Sequence, residues 1–331
     1  MRLAVRQLLA DARRAGHLGS GVVAVACSGG ADSLALAAAA RQVTRRPGLA
    51  VHGLVVDHGL QPGSAEVAGW AADQLRQLGL DRVDVLTVAV TGPGGLEAAA
   101  RRARYAALRA ALPAPDALVL LGHTLDDQAE TVLLGLGRGS GPRSIAGMRA
   151  LDAPWARPLL GVTRAQTGAA CAALGLTPWT DPHNLDARFT RVRLRTEVLP
   201  LLDEVLQGGV AGALARTAAQ LREDCDTLDG LADQLFQRVC RPAGEGTGGV
   251  GGVPGVGELD AEQLGREPAA LRRRVLRRWL LAAGVPELTD TQLRRVDALV
   301  GEWRGQGGVW LPSSLVTRRV RGRLRIDRTE S

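Results

Sequence analysis

The sequence predicts an α/β protein in which a parallel sheet flanked by helices is followed by a helical extension and a smaller, basic C-terminal domain. Three observations predict it. From residue 21, short β-branched runs alternate with longer amphipathic ones, the pattern of βαβ units around a parallel sheet. Residues 241–257 are mostly Gly and Pro with no hydrophobic period, the composition of a linker between independently folded parts. Residues 271–328 hold 14 Arg against 5 Asp and Glu, so +9 sits there while the total is only +7 and the rest of the chain carries −2.

Taken in order, strands are expected at 22–26, 51–56, 83–88 and 117–121, with helices at 33–42, 65–78, 96–112 and 126–134. The glycine-rich stretch 135–147 breaks the periodicity and reads as a mobile loop. Helices over 164–174, 190–206 and 211–239 follow. Beyond the linker, Leu259, Leu264, Leu271, Val275, Leu276, Trp279 and Leu280 keep helical spacing, and then come a helix near 289–303 and a hairpin-like 309–326. The expected division is a catalytic domain 1–205, a helical extension 206–240, a linker 241–257 and a basic domain 258–331. A chain of 331 residues is long enough to bury two cores.

Composition excludes several classes. An apolar share of 46% with 23% charged residues fits soluble globular protein. No apolar run approaches the roughly 20 residues of a membrane span, and residues 1–17 lack a secretory core, so a cytoplasmic protein is expected. Cys27, Cys171, Cys225 and Cys240 form no CxxC pair and no zinc spacing, and scattered thiols of this kind are read as small buried hydrophobes. The chain has no lysine, so all 41 basic residues are arginine; Walker-type phosphate loops and Schiff-base catalysis are excluded. The basic tail calls for a polyanion, which points to nucleic acid.

The sharpest motif is Cys27-Ser28-Gly29-Gly30-Ala31-Asp32-Ser33, directly after an apolar strand and before an alanine-rich helix. Backbone N–H groups of residues 29–33 can wrap a phosphate where glycine leaves room, and the helix N-terminus adds a favourable dipole. A carboxylate beside a polyphosphate is repelled without an intervening cation, so Asp32 calls for Mg²⁺. After the fourth strand, where open α/β sheets bind ligands, comes Gly122-His123-Thr124-Leu125-Asp126-Asp127-Gln128-Ala129-Glu130-Thr131. Helical spacing gathers Asp126, Asp127 and Glu130, and neighbouring carboxylates again call for a cation.

The loop at 28–33 resembles the SGGxDS pyrophosphate-binding motif of PP-loop ATP pyrophosphatases, and the acid block resembles the HHxDDQxET signature of tRNA(Ile)-lysidine synthetases, with Thr124 at the second His. Three further stretches are similar to that family in the right order. They are Asp57-His58-Gly59-Leu60-Gln61-Pro62-Gly63-Ser64, the ExxARxxRY-like helix from Glu97 to Tyr105, and Asp181-Pro182-His183-Asn184-Leu185-Asp186 running on to Arg195 behind Arg157-Pro158-Leu159-Leu160. The resemblance implies a PP-loop (adenine nucleotide alpha hydrolase-like) fold that uses ATP and Mg²⁺. It implies joining of free L-lysine to C2 of the wobble cytidine in a CAU-anticodon tRNA(Ile), through an adenylated cytidine, with AMP and pyrophosphate released and codon reading changed from AUG to AUA.

Carried over residue by residue, it implies that Ser28, Gly29, Gly30, Ala31, Asp32, Ser33, His58, Arg101 and Arg104 bind ATP, and that Asp32 and Asp127 bind metal. Asp32, Asp126, Asp127 and Glu130 would carry catalysis; His123, Thr131, Asp181, Asn184, Arg191, Arg193 and Arg195 would meet lysine or tRNA. Which acid serves lysine and which the metal stays open at this point, as does a homodimer. The near alternative is a tRNA 2-thiolating enzyme of the same fold, for which the cysteine spacing offers no pair. A noncatalytic RNA-binding protein would gain nothing from acids concentrated beside phosphate.

Overall fold

The computed structural model describes residues 1–45, 48–92, 95–139, 141–181, 186–241, 253, 255–286 and 288–329. Most of the expected linker, and Asn184, lie outside the described residues. The chain divides into two compact units, Met1–Arg222 and Glu223–Ser331. The division falls inside one continuous helix, Val210–Val239.

The first unit opens with α1 (Arg2–Arg14), which the sequence reading did not anticipate. Its arginines are spaced so that Val5, Leu8, Leu9 and Ala12 share one buried face, an amphipathic pattern that alternating charge partly hides. Then follow β1 (Val22–Cys27), α2 (Ala31–Thr44), β2 (Ala50–Asp57), α3 (Ser64–Gln77), β3 (Arg82–Thr87), α4 (Gly95–Ala110), β4 (Leu118–Leu120) and α5 (Leu125–Gly137). These match the expected elements to within a few residues. The glycine-rich stretch expected as a loop over 135–147 instead holds part of α5 and a short helix, α6 (Pro142–Ile145). Gly141 turns the chain at φ +82° and Pro142 opens that helix, while the Gln128 amide accepts from Met148 N at 2.7 Å and donates to its carbonyl at 3.1 Å.

A hairpin of β5 (Leu151–Asp152) and β6 (Trp155–Ala156) completes the sheet, whose order is β3-β2-β1-β4-β6-β5. All pairings are parallel except β5 with β6. The chain moves outward from β1 to β2 and β3 and then returns to β4 on the other side, so the strand order reverses between β1 and β4. Ligands of open α/β sheets bind outside the strand ends at such a reversal, which is where residues 28–33 and 122–131 lie. One face of the sheet packs on α1, α2 and α3 through a core that includes Leu34, Leu36, Val51 and Leu75. The other face buries Leu54, Leu108, Val119 and Trp155, with Tyr105 edge-on to Trp155 at 4.7 Å between ring centres.

After α7 (Arg164–Ala173) the single helix expected over 190–206 is broken into α8 (Thr190–Arg193), a π-helical turn over Leu194–Val198, and α9 (Leu199–Val205). Pro200, which has no N–H to give, accounts for the disturbed ladder, and π turns recur at functional sites. The helix Val210–Val239 is α10.

The second unit contains β7 (Cys240–Arg241), β8 (Glu258–Asp260), α11 (Ala261–Gly265), α12 (Ala269–Ala282), α13 (Asp290–Gly301), β9 (Val309–Leu311), β10 (Leu315–Val320) and β11 (Arg323–Arg328). Its strands form an antiparallel sheet in the order β7-β8-β11-β10-β9. Leu259, Leu264, Leu276, Trp279 and Leu280 fill its core, joined by Ala232, Leu235 and Val239 of α10. Trp279 is fully buried because its ring nitrogen donates to the Gly257 carbonyl at 2.7 Å. Among the described residues no single helix is long and apolar enough to cross a membrane.

Candidate active site

The phosphate loop is held by its own side chains. Ser33, buried at the start of α2, donates its hydroxyl to the Gly30 carbonyl at 2.9 Å and accepts from Ser28 N at 3.2 Å. Gly29 N donates to Cys27 Sγ at 3.4 Å, and Gly29 O accepts from Trp179 N at 3.0 Å. Ser33 and Cys27 are therefore spent on the shape of the loop, which leaves the first-turn N–H groups of α2 to face a ligand. Gly29 adopts φ +81°, and a Cβ there would stand 3.1 Å from the Trp70 ring, so only glycine fits. Gly122, at the end of β4, is equally constrained: a Cβ would come within 3.1 Å of the Asp32 and Ser33 backbone.

Thr124 begins α5 as a capping box, its hydroxyl accepting from Asp127 N at 3.4 Å while Asp127 Oδ2 accepts from Thr124 N at 2.8 Å. This capping role uses only one oxygen of Asp127. The other, Oδ1, meets Arg164 Nη2 at 2.8 Å. The same guanidinium reaches Asp32 Oδ2 at 3.5 Å and Glu130 Oε1 at 3.6 Å, and Arg164 N donates to Asp126 Oδ2 at 2.8 Å. Thr167, one turn further along α7, donates its hydroxyl to Asp32 Oδ1. All four expected acids thus converge on one residue, Arg164.

Beside these acids the structure gathers arginines. Glu130 is 0% exposed and also receives Arg195 Nε at 2.9 Å and Arg191 Nη1 at 3.3 Å. Arg191 Nη2 donates to Thr131 Oγ1 at 3.3 Å, tying that residue into the group. Arg191 and Arg195 are four apart and share a face, whereas Arg193 points away to an exposed pair with Glu197 at 2.8 Å. Burial pushes the Asp32 carboxyl above its ordinary value, and the Thr167 hydroxyl and Arg164 oppose that. Neither Arg164 nor Thr167 was singled out in the sequence. The signal available was Thr163, whose capping box with Gln166 fixes the start of α7 and places Arg164 at its first turn.

His58 and His123 lie near the half-buried Arg104, each with a buried Nδ1 lacking a hydrogen-bond partner among the described residues. Burial lowers the His123 imidazole to about 4, with Asp127 pulling the other way and Arg157, Arg104 and Arg101 reinforcing it. Burial also lowers His58, helped by Arg104. Arg101 stacks over Tyr105 at 4.8 Å and donates to its hydroxyl at 3.3 Å. Asp181 accepts from Gln61 Nε2 at 3.4 Å. The four cysteines are free thiols, and burial raises Cys27 and Cys171, which keeps them protonated and poor nucleophiles.

The described residues contain no group of three His, Cys, Asp or Glu able to hold a metal ion. Asp32 and Asp127 still offer two hard oxygen donors beside the phosphate loop. That set suits Mg²⁺, which usually takes one or two carboxylates and completes its shell with phosphates and water.

Residues 3–202 match the PP-loop domain family, and residues 259–325 match the TilS substrate binding domain. The tRNA(Ile)-lysidine synthase of Nocardia farcinica is 57% identical over 338 residues, covering 99% of this chain and 98% of that protein. That of Rhodococcus erythropolis is 58% identical over 307 residues, 91% of this chain and 88% of the relative. That of Mycobacterium tuberculosis H37Rv is 58% identical over 296 residues, 89% and 86%. Among solved structures, the U34-tRNA thiolase NcsA from Methanococcus maripaludis, with its [4Fe-4S] cluster, aligns at TM-score 0.52 and 18% identity, covering 61% of this chain and 72% of that one. At that identity it shares the fold alone.

Proposed function

The chain belongs to the tRNA(Ile)-lysidine synthase family, and on that premise we propose that it joins L-lysine to C2 of the wobble cytidine of a CAU-anticodon tRNA(Ile), consuming ATP. The observation that carries the proposal is the convergence of Asp32, Asp126, Asp127 and Glu130 on Arg164, which couples the phosphate loop after β1 to the acids after β4. In this reading residues 1–205 perform catalysis, 206–240 form a helical extension whose C-terminal part packs in the second unit, and 258–331 bind tRNA.

The loop from Ser28 to Ser33 holds the triphosphate, with Arg101, Arg104 and His58 on the nucleotide. Asp32 and Asp127 would hold Mg²⁺, which when bound offsets the charge of the departing pyrophosphate. The cytosine carbonyl oxygen attacks the α-phosphorus, the bond to the bridging oxygen breaks, and pyrophosphate leaves. The lysine ε-amine then attacks C2 of the adenylated base and AMP leaves. That amine has a free pKa near about 10.4 and must lose a proton first. We assign proton acceptance to Asp126, whose Oδ1 makes no hydrogen bond among the described residues. Glu130, saturated by three guanidiniums, positions Arg164, Arg191 and Arg195 and does not touch the reacting atoms.

Incubation with labelled lysine, ATP and a tRNA(Ile) transcript bearing CAU tests the function. Label should enter the tRNA only with ATP present, and no incorporation by the wild-type protein would reject the proposal.

A further inference from the structure

The arginines of the second unit fall into two classes. On α12, Arg272 Nε meets Asp297 at 2.8 Å and Arg273 Nε meets the same carboxylate at 2.9 Å, with Asp297 nearly buried. Arg274 pairs with Asp229 at 3.0 Å, and Arg278 pairs with Asp233 while lying 4.9 Å from the centre of the Phe236 ring. These four hold the unit's own helices together.

The β10–β11 hairpin is different. Its segment Arg318-Arg319-Val320-Arg321-Gly322-Arg323-Leu324-Arg325 puts five arginines into eight residues, and among the described residues only Arg325 has a carboxylate partner, Glu258 at 2.9 Å. Arg319 turns toward the core side, donating to the Leu299 carbonyl at 3.2 Å under Trp303. Arg318 and Arg321 are exposed and make no ion pair among the described residues.

Register places a large aromatic on the same surface. Trp310 of β9 is opposite Val316, and Arg318 is opposite Arg325, so Trp310, Arg318, Val320, Arg323 and Arg325 share the sheet face that looks away from the helices. On that face Trp310 is 61% exposed and Val320 41%. Of its acids, Glu258 is engaged by Arg325 and Asp260 caps α11, leaving Asp327, which is in register with the buried Val316 and so lies in the same row as Trp310. Unpaired arginines beside an exposed indole suit a nucleic-acid backbone with a base or ribose to stack on.

Resting on the reading of the chain as a tRNA-modifying enzyme, we propose that the β10–β11 hairpin face is where the second unit grips tRNA. Arg318 on that face and Arg321 at the hairpin turn take backbone phosphates and Trp310 stacks on an exposed base or ribose, while Arg272, Arg273, Arg274 and Arg278 of α12 contribute structure only.

The test uses the full-length protein and a CAU tRNA(Ile) transcript, with affinity measured across a salt series. The double variant Arg318→Gln/Arg321→Gln should bind at least about 10-fold more weakly and shed roughly 1.5 from the slope of log K against log salt, since each lost phosphate contact removes about 0.7–0.9. Trp310→Ala should weaken binding with an unchanged slope, because stacking releases no counterions. Arg274→Gln should lower the melting temperature and leave the slope alone. A double variant with wild-type affinity and slope, while wild type binds and modifies tRNA, overturns this assignment but not the function. Failure of the wild type to bind tRNA rejects both. If Trp310→Ala changes sedimentation and not tRNA binding, the face joins two copies of the chain and the proposal is wrong.

Discussion

Replacing Arg164 with alanine removes one guanidinium from three carboxylates, at 2.8 Å from Asp127, 3.5 Å from Asp32 and 3.6 Å from Glu130. Breaking a buried pair by deleting one partner costs roughly 3–5 kcal/mol. Two features reduce that figure. The Arg164 side chain is 28% exposed, and every carboxylate keeps another donor: Thr124 for Asp127, Thr167 for Asp32, and Arg191 with Arg195 for Glu130. The backbone N–H to Asp126 also survives the substitution. An expected loss of about 1–3 kcal/mol follows, or a melting-point drop of about 2–10 °C for a unit of this size. Activity should suffer more than stability. Asp32 and Asp127 are no longer held at a common point, and misplacement by about 1 Å can cost on the order of 100-fold in rate. Thermal unfolding and tRNA-dependent AMP release, measured on the same preparations, separate the two effects. Arg164→Lys sharpens the comparison, since a point charge cannot bridge three carboxylates: it should recover much of the melting temperature and little of the rate. Wild-type AMP release by the alanine variant would refute the reasoning.

Other outcomes follow from single contacts. Asp32→Asn keeps an acceptor for Thr167 and should fold normally but form no AMP; near-normal turnover would remove Asp32 from catalysis. Asp126→Asn should still adenylate tRNA while slowing lysine attack at least 10-fold, so adenylated tRNA accumulates; equal loss of both steps would reassign the base. Gly29→Ala forces alanine to φ +81° against Trp70, which should cost roughly 1–3 kcal/mol and raise the KM for ATP, as read by unfolding and steady-state kinetics. His123 titrates near about 4 when folded against about 6.5 unfolded, so the unfolded chain binds the extra proton between those values. Stability should therefore fall as pH drops from about 6.5 to about 4, by at most roughly 3 kcal/mol from this residue, and His123→Asn should flatten that acid limb in pH-dependent denaturation.

What the sequence made legible was local. The strand–glycine–helix at 22–44 announces a phosphate loop because its residues are contiguous, and the same holds for the acids, which helical spacing brings together. Arg164 was not legible. It lies 34 residues beyond Glu130 in sequence, reaches the acids only because the β5–β6 hairpin returns the chain to the end of β4, and is one among 41 arginines in a chain without lysine. The same abundance hid the two classes of arginine in the tail, where +9 of charge looked like one basic surface and pairing divides it. The short strands β7 and β8 flank a stretch without hydrophobic period, and at two and three residues they are too brief to show alternation. A cut after Ala243, attractive from the linker composition, would bare Ala232, Leu235 and Val239, which belong to the second unit's core. Surface variants are the cleaner probe of that unit.

The central claim is that the phosphate loop adenylates the tRNA base before lysine attacks. ATP labelled at the α-phosphate, mixed with the protein and CAU tRNA(Ile) but no lysine, tests it most directly. The account predicts label on the tRNA, chased to free AMP in step with lysidine formation when lysine is added. Label that never reaches tRNA but appears on lysine would contradict it.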